Sequence, residues 1–354
     1  MWVARLPALK HRLALDSGKL GLVIFTVTAV ATLGLPVSGW LSARFGSREP
    51  IGLALGLALA ALGTAAFAPT VGTLIAVAAV MGAGLGISDV ALNAHGVELE
   101  HRMGRVLLSP LHAAWSFGLL SGSALTAIAA AAGIGVRVQM PASAALFAVV
   151  VAFAAPRLLP GTASEVESAR FALPRGPLAL PAALMFCALF IEFAAMNWSA
   201  VFLNGPAHAS AAVSAGAVVA YAAAMGVARL AGDKLMLRWG IGGLAQRSGA
   251  LSFVGVLLAI ATRSPVPALA GFALVGVGCA AIVPALFRVG GTAVGVSQGA
   301  GIAAVATAGY LGGLLNGPAI GFLAGAVGLS AALGLVAVAA AVITVFGPKL
   351  GSRG

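Results

Sequence analysis

The chain has 354 residues, 61% of them hydrophobic and only 8% charged, with a mean hydropathy of +1.07. A water-soluble globular domain does not reach these values, so a soluble enzyme or binding module is excluded. The net charge of +11 does not describe a nucleic-acid surface either, because the basic residues stand singly between apolar runs, where they set topology.

The first nineteen residues hold no apolar run long enough to span a bilayer or to form the core of a signal peptide. After them, apolar stretches of about 20 residues recur between short polar breaks, near 20–43, 50–68, 71–96, 109–131, 138–156, 177–203, 211–236, 243–262, 265–288, 298–325 and 328–347. The spacing predicts an all-α, multi-pass membrane protein with eleven transmembrane helices. Cys187 and Cys279 lie inside such runs with no CxxC partner, so neither a disulfide framework nor a metal or cofactor is expected.

With the turn at Arg44 to Glu49 placed in the cytoplasm, alternation puts 14 of the 20 Lys and Arg on that side, including Arg102, Arg105, Arg157, Arg170, Arg175, Lys234, Arg238, Arg247 and Arg288. The opposite breaks are short and nearly bare, so the charge bias fixes the orientation. The longest polar break, Pro156 to Pro177, reads as a cytoplasmic linker. It divides the chain into a helical bundle over 1–157, a linker over 158–176 and a second bundle over 177–354.

A shift of 194 residues lays GWLSARFG at Gly39 to Gly46 on DKLMLRWG at Asp233 to Gly240, matching Leu41 with Leu235, Arg44 with Arg238 and Gly46 with Gly240. The same shift pairs Gly82 with Gly276, Gly84 with Gly278, Gly96 with Gly290 and Gly118 with Gly312. Repeats of one direction imply two bundles related by an axis along the membrane normal. Run backwards, the shift asks for a partner of 177–203 that ends near Leu9, and only its last residues are present. A missing first helix, out of an expected twelve, is preferred to a native eleven-helix form.

Two acids lie deep in spans, Asp89 and Glu192, one in each repeat. An ionised carboxylate in hydrocarbon costs several kcal/mol, so such residues face a bundle interior or a wet cavity and mark an ion or substrate path. Asn93 follows Asp89 at i+4 and shares its face. Desolvation disfavours a charged carboxyl, so both acids are candidates for proton coupling as well as substrate binding. Asn93, Asn197 and Asn316 donate and accept, which suits hydroxyl-rich ligands, and they equally suit hydrogen bonds between helices. Trp115, Trp198 and Tyr310 are candidate stacking faces for a sugar ring, with interfacial anchoring as the competing role. His112 opens its span. Arg229 and Asp233, one turn apart, are expected to pair locally beside Arg238, and with Arg44 and Arg48 these form the candidate gating set. Pro284 and Pro318 are expected kinks.

On these residues the chain resembles the major facilitator superfamily. The loop pattern Gly-x-Leu-x-Asp-Arg-x-Gly-x-Arg is recognisable in Gly39, Leu41, Arg44, Gly46 and Arg48, with Ala43 where the family has Asp. Asp89 with Asn93 is similar to the fucose permease branch, the proton symporters of fucose, galactose and glucose. WVARLPALK, HAAWSFG at His112 to Gly118, NWS at Asn197 to Ser199, IVPALF at Ile282 to Phe287 and GYLGGLLNGPAIGFL at Gly309 to Leu323 resemble a bacterial subgroup of that branch. The resemblance implies a monomeric carrier in the bacterial inner membrane, working on a small-molecule substrate and protons, without nucleic acid. It also implies a proton-carrying Asp on the first helix, which this sequence does not contain. Proton-driven drug efflux and an inactive truncated carrier are the alternatives. An intramembrane enzyme has no support, since HExxH, GxSG and facing catalytic Asp pairs are absent from the sequence.

Overall fold

In a bilayer no water satisfies the backbone, so an apolar run must close its own hydrogen bonds as a helix. The computed structural model describes residues 1–104, 108–159, 174–262, 264–296 and 298–351, and among the described residues there is no strand. Helices α1 (Trp2–Arg12), α2 (Ser17–Phe45), α3 (Arg48–Ala65), α4 (Val71–Met103), α5 (Leu108–Ala131) and α6 (Val136–Ala154) precede the expected linker. Helices α7 (Ala179–Asn204), α8 (Ala211–Arg229), α9 (Gly232–Thr262), α10 (Pro265–Cys279), α11 (Ile282–Gly291), α12 (Gln298–Val327), α13 (Leu329–Ala332) and α14 (Gly334–Phe346) follow it. Most of the linker, residues 160–173, lies outside the described residues, as do Arg105, Arg170 and Arg263.

Nine helices among the described residues are long and apolar enough to cross a membrane, against the eleven expected. The other two expected spans fall on α3 and α5. Helix α3 opens on Arg48 and Glu49, and several side chains in the first part of α5 lie outside the described residues. Three expected spans are broken as well. The 265–288 span divides at Ala280 and Ala281 into α10 and α11, because the ring of Pro284 meets the carbonyl four residues back, that of Ala280. The 211–236 span ends at Arg229, and α9 then kinks at Gly240. The 328–347 span divides into α13 and α14.

The sequence repeat is visible in backbone geometry. Gly46 has φ 76° and ψ 176°, and its mate Gly240 has φ 63° and ψ 175°. This left-handed region favours glycine, and both residues turn the chain at the end of a loop motif. Contact surfaces repeat too. A Cβ on Gly82 would collide with the carbonyl of Val27, and one on Gly276 with the carbonyl of Tyr221, which is Val27 plus 194. A Cβ on Gly84 would lie 2.5 Å from the Ala54 carbonyl, and one on Gly278 lies 2.7 Å from that of Ser248, again 194 apart. The central helix of each repeat is held against its neighbours by backbone-to-backbone approach, the packing that apolar solvent leaves available. The repeat is imperfect at Gly312, which abuts the carbonyl of Phe186 on α7, whereas its mate Gly118 has nothing within 4 Å.

The first set of helices packs through α2 on α4, α3 on α4 and α3 on α6, and the second through α7 on α12, α8 on α10 and α9 on α10. The two sets meet crosswise, α2 against α12 and α5 against α8. Helix ends carrying Arg44, Arg102, Arg157, Arg229, Arg288 and Lys349 gather on one face, here called the charged face. At the opposite, bare face, Asp16 caps α2: its carboxylate accepts from the Lys19 amide at 2.7 Å and from Lys19 Nζ at 3.0 Å. The amide bond first, then the side-chain bond, hold the Asp16 carboxyl below the usual carboxylate range. A depressed folded-state pKa means that the cap stabilises above the unfolded value and fades as pH falls through the folded one. Asp16→Ala is expected to cost about 1 kcal/mol at neutral pH. Thermal melts of the two proteins should converge as the pH falls below about 4, and a gap that persists in acid would remove the carboxylate from the account.

Candidate functional site

The seam between the two sets is tightest near the bare face. Gly21 on α2 and Gly317 on α12 approach so closely that a Cβ on either would strike the other's carbonyl, and Gly321 stands in the same way against Ser17. Around this contact Leu20, Val23 and Ile24 are fully buried, while Leu33, Val37 and Trp40 further along α2 are exposed. The sets therefore touch closely at the bare end, and toward the charged end α2 turns exposed side chains outward.

The polar residues of the spans are distributed along this seam in layers. At 1.5 Å per residue, Asp89 stands about 27 Å along α4 from its bare end at Val71, and Tyr310 about 26 Å along α12 from Val327. Asp89 is exposed, Tyr310 is half-buried, and the two are within electrostatic reach of each other. Asn93, one turn on, donates through Nδ2 to the Asp89 carbonyl at 2.9 Å and to its Oδ1 at 3.4 Å. The acid thus keeps an amide beside it and lies within electrostatic reach of an aromatic hydroxyl on the other set.

Glu192 lies about 18 Å from the bare end of α7. Its Oε1 is 3.7 Å from Nη2 of Arg229 at the end of α8. Its other oxygen, Oε2, is buried with no hydrogen-bond partner among the described residues, as is the hydroxyl of nearby Tyr221. A carboxylate held by one long contact and otherwise bare is a site whose charge is easily exchanged for a proton or a ligand hydrogen bond. Arg229 thus reaches α7. The side chains of Asp233, its expected partner, and of His112 lie outside the described residues.

Deepest under the closed end, Asn197 Nδ2 on α7 donates to Asn316 Oδ1 on α12 at 3.4 Å, and Asn316 in turn donates to the Gly313 carbonyl. Both amides are buried, and Asn316 is one residue from the Gly317 contact. Asn316→Ala would leave the Asn197 donor unmet, at an expected cost of about 1–2 kcal/mol. A melt in neutral detergent would test this, and equal losses for the single and the Asn197→Ala/Asn316→Ala double variant would establish the coupling.

The remaining candidates scatter. Trp198 is wholly buried, and Trp115 on α5 is 60% exposed. Arg44 stacks against Trp40 at 5.8 Å and Phe45 at 5.6 Å, while Arg48 begins α3 and Arg238 is exposed on α9. The structure thus brings together Asp89, Asn93 and Tyr310, Glu192 with Arg229, and Asn197 with Asn316, and leaves the two tryptophans and the loop arginines apart from them.

Sequence reasoning missed the polar ties of α1. Arg5, buried, donates to Gln139 Oε1 and to the Ile134 carbonyl, each at 3.0 Å, and Arg12 donates to the Ala68 carbonyl at 2.6 Å. His11 meets Asn204 Oδ1 at 2.7 Å, a bond from the first set to the second at the bare face. Four basic residues on a face expected to be bare were the available signal. His95 was also missed; its Nδ1 lies 2.9 Å from Ser47 Oγ and ties α4 to the loop motif.

The family model described as Major Facilitator Superfamily matches residues 2–315. An uncharacterized MFS-type transporter of Yersinia pestis is 30% identical over 336 residues, covering 95% of this chain and 88% of its own. Among solved structures, the nucleoside transporter NupG superposes with a TM-score of 0.77 at 15% identity, over 99% of this chain and 95% of that one. The fucose:proton symporter FucP of E. coli superposes with a TM-score of 0.56 at 15% identity, over 99% and 96%.

Proposed function

Because the chain belongs to the major facilitator superfamily, we propose that it is a secondary carrier that moves a small hydroxyl-rich solute with protons by alternating access. The observation that carries this reading is exposed Asp89 with half-buried Asn93 one turn on, within electrostatic reach of Tyr310 on the other helix set. A carboxylate and an amide side by side suit vicinal hydroxyls, and an aromatic ring across the gap suits the apolar face of a sugar. Glu192 supplies the second ionisable group, and Asp89 and Glu192 are the proton carriers of the proposal. Monosaccharides fit this chemistry. So do nucleosides, whose ribose offers the same hydroxyls, and the likeness in fold to NupG favours including them.

The conformation described would release the solute to the charged, cytoplasmic side, with the Gly21–Gly317 seam and the His11–Asn204 bond closing the other side. Rocking of a 1–157 bundle against a 177–354 bundle would reverse the opening, with Arg44, Arg48, Arg229, Asp233 and Arg238 acting near the cytoplasmic gate. The working protein is a monomer in the bacterial inner membrane.

The test is charge movement in proteoliposomes challenged with monosaccharides, then nucleosides, then cationic drugs. A solute-evoked inward current in the first two panels is expected. Silence there, with drug-evoked proton movement, would replace uptake by efflux.

A further inference from the structure

A cavity of about 430 Å³ lies away from the seam, between the end of α8, the kinked start of α9 and the break between α10 and α11. Leu235, Leu244, Leu251 and Val277 give it apolar walls, and Trp239 and Arg247 stand at its charged-face end. Leu230, Leu237 and Val254 beside it are all more than half exposed, so it opens toward the bilayer and not into the gap between the sets.

The Arg247 side chain runs back along α9 toward the charged face. Its Nη1 donates to the Gly243 carbonyl at 3.1 Å, and its guanidinium lies 4.6 Å from the centre of the Trp239 ring. A guanidinium carries five donors in a rigid fork, so most of this one remains for an anion at the level where lipid headgroups sit. Lys234 and Arg238, both exposed, add positive charge on the same segment. From residue 229 to 247 the sequence has four Lys and Arg and a single acid, Asp233.

We infer that this groove is a binding site for an anionic phospholipid of the cytoplasmic leaflet, with an acyl chain along Leu244, Leu251 and Val277 and the phosphate on Arg247 over Trp239. The apolar walls alone would accept any lipid chain, and the cation at the mouth selects the anionic headgroup. The repeat supports the placement of the aromatic residue. Phe45, the mate of Trp239, also stands before a turn glycine and also carries a guanidinium, that of Arg44. In the first repeat Leu53 occupies the place of Arg247, so the built groove belongs to the second.

The experiment is native mass spectrometry of the full chain in neutral detergent, titrated with phosphatidylglycerol or phosphatidylcholine of equal chain length. Preferential retention of the first phosphatidylglycerol is expected, and Arg247→Gln should reduce that preference roughly five-fold, the factor one basic residue contributes near an anionic surface. Arg157→Gln, a charged-face arginine on the other helix set, should leave it unchanged. Ala250→Phe, which narrows the groove without touching a charge, should remove the first bound lipid of either kind, and it carries the test if Arg247→Gln does not fold. Equal retention of the two lipids, an unaltered preference in Arg247→Gln, an equal loss in Arg157→Gln, full binding in Ala250→Phe, or displacement by millimolar inorganic phosphate would each overturn the assignment.

Discussion

Asp89→Asn is expected to abolish accumulation while sparing exchange. One proton moving through 100 mV releases about 2.3 kcal/mol, which supports a roughly fifty-fold gradient of a neutral solute. An amide has the shape and hydrogen-bonding capacity of a protonated acid, so the variant can still seat a hydroxylated solute beside Asn93 and opposite Tyr310. It cannot bind and release a proton between the two faces, and so the solute would only equilibrate. Tracer uptake under an imposed potential should fall from tens-fold accumulation to parity, with counterflow from preloaded vesicles preserved. Accumulation retained by Asp89→Asn and lost only in Glu192→Gln would move the coupling to the second set. There the Arg229 contact at 3.7 Å gives Glu192 a cation to exchange for a proton.

The parts of this arrangement that the sequence revealed are those set by local chemistry or by repetition. The 194-residue shift predicted which glycines correspond, and the structure places Gly82 and Gly276, and Gly84 and Gly278, against carbonyls that are themselves 194 apart. Of the two expected kinks, Pro284 has a chain break one turn before it, whereas α12 runs on as one helix through Pro318. The polar pairings were a different matter. Asn197 and Asn316 are 119 residues apart, and His11 and Asn204 are 193 apart. Neither residue of such a pair carries a local mark of its partner, since the bond exists only after two helices have packed. Depth was equally hidden. Asp89 and Glu192 looked alike as single acids in apolar runs, yet one is exposed in the opening and the other is mostly buried against Arg229. Hydropathy gives the ends of a span and not its rotation, and rotation decides which face a side chain joins.

Rotation and depth of α4 both depend on its contact with α2, and this leads to the largest effect expected on folding. At Gly82 a Cβ would occupy the space of the Val27 carbonyl, and at Gly276 that of Tyr221. The obstacle is backbone and cannot rotate away, so Gly82→Ala must push α4 from α2 along their contact, at about 1–3 kcal/mol. Gly276→Ala should cost a similar amount by the same contact between α10 and α8. Helix propensity works in the opposite sense, since alanine is favoured over glycine inside a helix by roughly 0.5–1 kcal/mol. Gly39→Ala on α2 and Gly118→Ala on α5, where nothing lies within 4 Å, should therefore be neutral or stabilising. Melting in neutral detergent would read this difference in sign, and four alike responses would mean that the close approaches do not hold the helices together. Asp89 stands seven residues beyond Gly82 on the same face, so the displaced helix should carry its carboxylate away from Tyr310. Gly82→Ala is accordingly expected to raise the KM for solute at a temperature where the protein is still folded, whereas Gly276→Ala, with an equal loss of stability, should leave the Asp89 layer in place.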